Sequence, residues 1–80
     1  MDPHKTGTFI AALRRGKNMT QEDLAGAVGV TDKAVSRWET GRGFPDISLL
    51  PALAAALDIT VNELLAGEPI AAGEREKADS

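Results

Sequence analysis

Polar side chains between positions 32 and 40 have a spacing that suits binding of a polyanion. In a helix, about 100° per residue places Lys33 and Arg37 one turn apart on the same face as Asp32, Ser36 and Thr40. Like charges four residues apart repel each other in an isolated helix, and a polyanion would relieve that repulsion. The alternative is a solvated polar face, which every surface helix has.

Residue types that catalysis or metal binding requires are scarce. The chain has no cysteine and a single histidine, His4, which excludes disulfides, cysteine-ligated zinc and a Cys/His catalytic pair. The sequence shows no Ser/His/Asp set and no glycine loop for phosphate, and Asp58 and Glu63 fit helix-end roles. We therefore predict no enzyme activity, no cofactor and no metal.

Length and hydropathy predict one small domain. The 80 residues leave room for a single domain with a modest core. No apolar run approaches the roughly 18 residues that span a bilayer, and the polar first five residues do not look like a signal peptide. We expect a soluble, cytoplasmic protein with no membrane partner.

Helical periodicity dominates the chain, and no stretch alternates as a β-strand would. Five helices are predicted, over about residues 8–15, 20–29, 31–40, 47 or 48 to 57, and 60–67. The domain is predicted to span residues 1–67. Residues 68–80 are charged and are predicted to form a disordered tail or linker; a frayed extension of the fifth helix is the alternative.

Three of the predicted helix starts carry capping signals. Thr20-x-x-Asp23 and Thr60-x-x-Glu63 read as capping boxes, and Thr31 is a third N-cap candidate. An apolar residue precedes each cap and a second follows five positions later, which is hydrophobic-staple spacing. These pairs are Met19/Leu24, Val30/Val35 and Ile59/Leu64.

The second and third helices are joined as in a helix-turn-helix. Only Gly29 and Val30 separate the second helix from the cap at Thr31, and Gly29 can supply a left-handed turn conformation. Ala25 is small where the third helix must cross closely. A short joint of this kind can place the second of two helices in a DNA major groove.

Residues 20–41 resemble the phage repressor/Cro-like helix-turn-helix family, also called the xenobiotic response element family. The matching residues are TQEDLA at 20–25, VGV at 28–30 and VSRWETG at 35–41, followed by Pro45, the leucine-rich fourth helix and LDITVNELL at 57–65. The match covers about residues 8–67. It implies an all-α fold: a compact five-helix lambda-repressor-like DNA-binding domain with the helix-turn-helix at helices two and three.

The resemblance implies a sequence-specific DNA-binding transcriptional regulator, expected to be a repressor, that reads the major groove with the third helix. By position, base readout falls on Thr31, Asp32, Lys33, Ser36 and Arg37. Phosphate contacts fall on Asn18, Thr20, Gln21, Thr40 and Arg42, and Gln21 can also brace the readout side chains.

Some of these residues have a second interpretation. Asp32 can accept from cytosine N4 or only stabilise the first turn of its helix through the helix dipole. Arg42 could equally be a solvated loop residue. The family commonly pairs a glutamate at position 39 with an arginine on helix one, so we expect a partly buried Arg14–Glu39 ion pair. Trp38 is expected in the core rather than as a stacking platform.

The resemblance also implies partners. Family members usually bind palindromic operators in double-stranded DNA as dimers, so we expect a homodimer at least on DNA, associated with a bacterial nucleoid. The alternative function is an antitoxin or protein-interaction adaptor of the same fold, with a toxin or another protein as partner. The fifth helix, with Val61, Leu64 and Leu65, could be core or dimer interface; mostly core with an exposed edge is expected.

The net charge of the chain is −3, which by itself argues against binding of anionic DNA. The charge is unevenly distributed, however. Residues 1–42 hold seven Lys/Arg and five Asp/Glu, a net charge of +2, whereas residues 43–80 hold two and seven, a net charge of −5. One weakly basic face is therefore predicted, with modest non-specific affinity.

Overall fold

Helix starts follow the local capping chemistry. The computed structural model describes residues 2–70. Three of its helices begin directly after a threonine: α2 (Gln21–Val28) after Thr20, α3 (Asp32–Glu39) after Thr31 and α5 (Val61–Ala66) after Thr60. The hydroxyl oxygen of each threonine accepts a hydrogen bond from the backbone N–H three residues later. Both capping boxes are complete. The three predicted caps are confirmed.

The first helix, α1 (Pro3–Gly16), begins five residues before its predicted start at position 8. The Asp2 carboxylate accepts from the N–H of His4 at 2.9 Å and caps the helix. Pro3 occupies the first helical position, where its missing N–H leaves no bond unmade. The predicted start was wrong because it followed the apolar face, which begins at Phe9, and overlooked the Asp-Pro capping signal.

The fourth helix is divided at its start. Asp46 caps a short 3-10 turn, Ile47–Leu49, and α4 (Leu50–Leu57) follows it. Pro51 falls in the first turn of α4, as its lack of an N–H requires. Asp58 ends the helix with φ +61°, a left-handed position that glycine more often fills.

The core is apolar and draws on all five helices. Trp38 is 5% exposed, which confirms that it packs in the core. Helix α1 lies against α3 and α5, and α2 lies against α3 and α4. The fully buried side chains are Ile10, Leu24, Val35, Leu53, Leu57 and Leu64. The predicted all-α five-helix fold is confirmed, and no strand occurs within residues 2–70.

Helix α1 approaches the end of α3 closely at Gly7. A Cβ atom on Gly7 would lie 2.1 Å from the carbonyl oxygen of Trp38 and 3.1 Å from that of Glu39. The absence of a side chain therefore sets the distance between these two helices. One residue earlier, the buried Thr6 hydroxyl donates to the carbonyl of Leu64 at 3.4 Å and ties α1 to α5.

Beyond α5 the chain folds back for a few residues. Glu68 forms an ion pair with Lys5 at 3.2 Å, and the N–H of Ile70 donates to the Glu63 carboxylate at 2.9 Å. Residues 71–80 lie outside the described residues, so the tail or linker predicted for 68–80 stays a prediction. None of the described helices is both long enough and apolar enough to span a membrane.

Candidate nucleic-acid interface

The turn between α2 and α3 fixes how the two helices cross. Gly29 adopts φ +85°, and the N–H groups of Gly29 and Val30 both donate to the carbonyl of Ala25, at 2.8 and 3.0 Å. A residue with a Cβ is disfavoured at this φ. Ala25 is 3% exposed, so little side-chain volume separates α2 from α3. The turn and the small side chain of Ala25 therefore allow α3 to pack closely on α2 with its polar face exposed.

Basic side chains converge on one open depression along α3. Lys33, Arg37 and Arg42 line it together with Ser36 and Thr40. The three cations are exposed, and within residues 2–70 none of them forms an ion pair. Their charges are free to bind an anion or a hydrogen-bond acceptor.

The loop after α3 is held beside this depression. The N–H of Arg42 donates to the carbonyl of Arg37 at 2.9 Å. Gly43 lies against the aliphatic part of Arg37, since a Cβ there would be 3.6 Å from the Arg37 Cδ. The Thr40 hydroxyl donates to the carbonyl of Ser36 at 2.9 Å, so only its oxygen lone pairs face outward.

A second depression lies where α2 and α3 begin. Asp32, the first residue of α3, lines it together with Thr20, Gln21, Glu22 and, below them, Arg14. The structure therefore divides the predicted readout residues between two places. Lys33, Ser36 and Arg37 share the basic depression, Asp32 lies in the other, and the Thr31 hydroxyl oxygen is used to cap α3.

An ion pair connects α1 to the end of α3. The Arg14 Nε donates to Glu39 Oε2 at 2.6 Å and its Nη2 donates to Oε1 at 3.0 Å. Both side chains are at most 10% exposed. Burial alone raises the pKa of Glu39, but hydrogen bonds from Arg14 and Gln21 outweigh it, and the pKa lies below its usual value. The hydrogen bond to Glu39 raises the pKa of Arg14.

Two further bonds extend this pair to the surface, and sequence reasoning missed both. Gln21 Nε2 donates to Glu39 Oε1 at 3.1 Å, and Arg14 Nη1 donates to the carbonyl of Met19 at 2.8 Å. The second bond holds the loop that carries Asn18, which is exposed with φ +57°. No local pattern signals the first contact, because Gln21 and Glu39 lie 18 residues apart.

Known proteins share this sequence and arrangement. A family model described as helix-turn-helix matches residues 10–64. The chain belongs to this helix-turn-helix family. It is 43% identical, over 76% of its length, to the HTH-type transcriptional activator BcrR of Enterococcus faecalis, and covers 30% of that protein.

Two solved structures have the same fold. One is the restriction-modification controller protein C.AhdI from Aeromonas hydrophila, at a TM-score of 0.73 and 35% identity, with 79% of this chain and 96% of that chain covered. The other is the DNA-binding domain of the P22 C2 repressor, at a TM-score of 0.73 and 34% identity, with 81% and 86% covered.

These findings confirm the predicted resemblance and give the class of function. The chain carries a DNA-binding domain of transcription regulators, a family of binding proteins rather than enzymes. It spans from about a third to a half of the curated relatives it matches, for example 30% and 49% of the first two.

Proposed function

We propose that this chain binds double-stranded DNA sequence-specifically, inserts α3 into the major groove and regulates transcription. The observation that supports this proposal is the depression lined by Lys33, Arg37 and Arg42. These cations have no ion-pair partner within the described residues. When an operator overlaps a promoter, the bound domain excludes polymerase, and repression is the expected outcome.

Each side chain in the depression has a role that its chemistry suits. Lys33 and Arg37 donate to guanine O6 and N7, the commonest specific contact in the major groove. Ser36 lies between them and can donate or accept. Thr31 lies at the start of α3, and its oxygen keeps a lone pair for a base-edge donor.

Phosphate contacts surround these base contacts and position the domain. Arg42 supplies a charge just beyond α3, and Asn18 and Thr20 lie before α2. Thr40 can contact a phosphate only through a bridging water, because its hydroxyl proton is already donated to the carbonyl of Ser36. One N–H of the Gln21 side-chain amide is donated to Glu39, which leaves its second N–H and the backbone N–H at the start of α2 for a phosphate.

A homodimer on a palindromic operator fits the exposed apolar surface. Ile47 is 80% exposed and Leu65 is 37% exposed, and these are the large apolar side chains that residues 2–70 leave most open to solvent. A homodimer that buries them against a second copy would have to place its two recognition helices about 34 Å apart, one turn of DNA. Two domains bound together would compensate for the modest DNA affinity that the low charge of one domain allows. Because double-stranded DNA is the proposed ligand, we expect the protein in the cytoplasm, on the bacterial nucleoid.

The test is DNA binding after selection of bound duplexes from a random pool. Arg37→Ala should weaken binding to the selected site by about 1–3 kcal/mol. Lys5→Ala removes an equal charge from α1, where Lys5 pairs with Glu68, and should bind like the wild type. Fluorescence anisotropy over a range of salt concentrations measures both affinity and the number of phosphates contacted.

Three outcomes would contradict the proposal. The first is equal affinity of the Arg37→Ala and wild-type proteins, which removes Arg37 from readout. The second is an affinity independent of salt, which is incompatible with phosphate contacts. The third is binding of a partner protein without any DNA binding by the wild type, which would favour the antitoxin or adaptor alternative.

A further inference from the structure

The carboxylate of Glu39, at the end of α3, binds side chains from two other helices. Its Oε2 accepts from Arg14 Nε at 2.6 Å, and its Oε1 accepts from Arg14 Nη2 at 3.0 Å and from Gln21 Nε2 at 3.1 Å. The Glu39 side chain is only 5% exposed, whereas Gln21 is half-buried and lines the open depression at the starts of α2 and α3. The network therefore runs from the interior of the domain to a side chain on the surface assigned to DNA.

A buried ion pair is by itself a weak source of stability. The cost of removing both charges from water can exceed their attraction, and apolar residues of similar volume are often as stable. Packing of α1 against α3 therefore does not require charges at positions 14 and 39. An acceptor for the Gln21 amide is what the carboxylate supplies and an apolar side chain cannot.

The bond to Glu39 fixes the orientation of the Gln21 amide. A carboxylate can only accept, so the amide nitrogen of Gln21, and not its oxygen, must face Glu39. The same nitrogen carries a second N–H, which this bond leaves to a ligand. A phosphate oxygen accepts from an N–H, whereas an amide turned by 180° would present its own oxygen to the phosphate and repel it.

Orientation matters at this depression because its charges do not attract a phosphate. Glu22 and Asp32 are exposed carboxylates that line it. Arg14 is the cation among its lining residues within 2–70, and its charge is paired with Glu39. The same pairing neutralises Glu39, so the carboxylate can hold Gln21 with little repulsion of DNA. A phosphate contact at this place depends on a donor held in position rather than on net charge.

We propose that Glu39 is a positioning residue for DNA binding, which holds Gln21 Nε2 so that its second N–H donates to a backbone phosphate. This inference rests on the proposed function and gives the Arg14–Glu39 pair a task in binding as well as in packing. Without the Glu39 acceptor the Gln21 amide rotates freely, and ordering it again on DNA costs conformational entropy. The expected defect is local: the phosphate contact of Gln21 weakens, and that of Arg42 does not.

The experiment measures binding of the full chain to a duplex selected from a random pool, in which one phosphate at a time is replaced by an uncharged methylphosphonate. Gln21→Ala identifies the phosphate that Gln21 contacts, because its replacement no longer weakens binding. Arg42→Ala identifies a control phosphate in the same way. Arg14→Met/Glu39→Met removes both charges together and leaves apolar side chains, an exchange that often preserves stability. Circular dichroism and urea denaturation verify that each variant is folded.

The wild type should lose about tenfold in affinity when either phosphate is replaced, as expected for a hydrogen bond to a charged group. Arg14→Met/Glu39→Met should lose this sensitivity at the Gln21 phosphate and keep it at the Arg42 phosphate. Adding Gln21→Ala to that variant should weaken binding by less than about twofold more, because coupled residues are not additive. A pair that acts only through packing would keep both sensitivities, which would overturn the inference and leave the proposed function intact. Selection of no duplex by the wild type would overturn both.

A second measurement uses the wild type and needs no change to the ion pair. Gln21 is the only glutamine of the chain, so Gln21→Ala identifies its two side-chain amide protons in a proton–nitrogen correlation spectrum. In the free protein, one of them should exchange with water more slowly than the other and than those of the exposed Asn62. The selected duplex should then shift the faster-exchanging proton more. Equally fast exchange of both Gln21 protons would overturn the inference.

Discussion

Replacement of Gly7 by alanine should destabilise the fold, although alanine is the better helix former. The Cβ of Gly7→Ala would lie 2.1 Å from the carbonyl oxygen of Trp38. An ordinary contact begins at 3.4 Å, so α1 must move away from α3 by about 1.3 Å. A gap of about 0.5–1 Å already forfeits a quarter to a half of the dispersion energy of the contacts it opens.

The magnitude follows from two opposing effects. Overpacking a close interface costs about 1–3 kcal/mol, and removal of a helical glycine returns about 0.5–1 kcal/mol. The expected net loss in the free energy of unfolding is about 1 kcal/mol, within a range of about 0–2.5 kcal/mol. Gly7 lies two turns before Arg14 on α1, so the same movement strains the bond between Arg14 and Glu39.

Urea denaturation followed by circular dichroism measures the effect. Gly26→Ala is the matched control, because Gly26 lies inside α2 and a Cβ there meets nothing within 4 Å. That variant should gain about 0.5–1 kcal/mol. If Gly7→Ala is as stable as Gly26→Ala, helix α1 adjusts without loss, and the reasoning from close approach is refuted.

Two further predictions concern the ion pair and the caps. Glu39→Gln should lose about 3 kcal/mol at neutral pH, because it leaves the buried charge of Arg14 uncompensated. Since the pKa of Glu39 is lowered by folding from 4.5, its stabilisation is present above pH 4.5 and is lost as pH falls through the folded pKa. The difference in free energy of unfolding between the wild type and Glu39→Gln, measured by urea denaturation, should therefore narrow below about pH 4.5. A difference that stays constant down to about pH 3 would contradict a stabilising role of the Glu39 carboxylate. Thr60→Ala should lower the free energy of unfolding by about 1 kcal/mol, because it removes the Thr60 side chain that caps α5. Thr8→Ala, inside α1, is the control and should change thermal stability little; equal losses in the two variants would contradict the capping role.

Much of the fold could be predicted because its signals are local. The caps at Thr20, Thr31 and Thr60 each act on a backbone N–H three residues away, so both partners lie within one window of sequence. The start of α1 was equally local, in Asp2 and Pro3, and was missed because the apolar period begins later.

The candidate site was predictable only in part. The polar face of α3 follows from helical periodicity, and the family resemblance alone suggested the pairing of Arg14 with Glu39. That resemblance assigned Gln21 to a phosphate and to bracing the readout side chains, but it did not indicate the bond from the Gln21 amide to Glu39. The role of a side chain with both donor and acceptor atoms depends on which neighbour folding brings to it.

The sequence by itself determined the number of helices, the turn between α2 and α3, and the polar residues that α3 exposes. These depend on spacing and capping, which act over a few residues. Tertiary structure alone decided that α1 passes α3 at the distance Gly7 permits, and that Arg14, Glu39 and Gln21 form one network. It also divided the recognition face into the basic depression along α3 and a second depression at the starts of α2 and α3. These features depend on atoms 18 to 32 positions apart in the chain, and only packing of the core brings such atoms together.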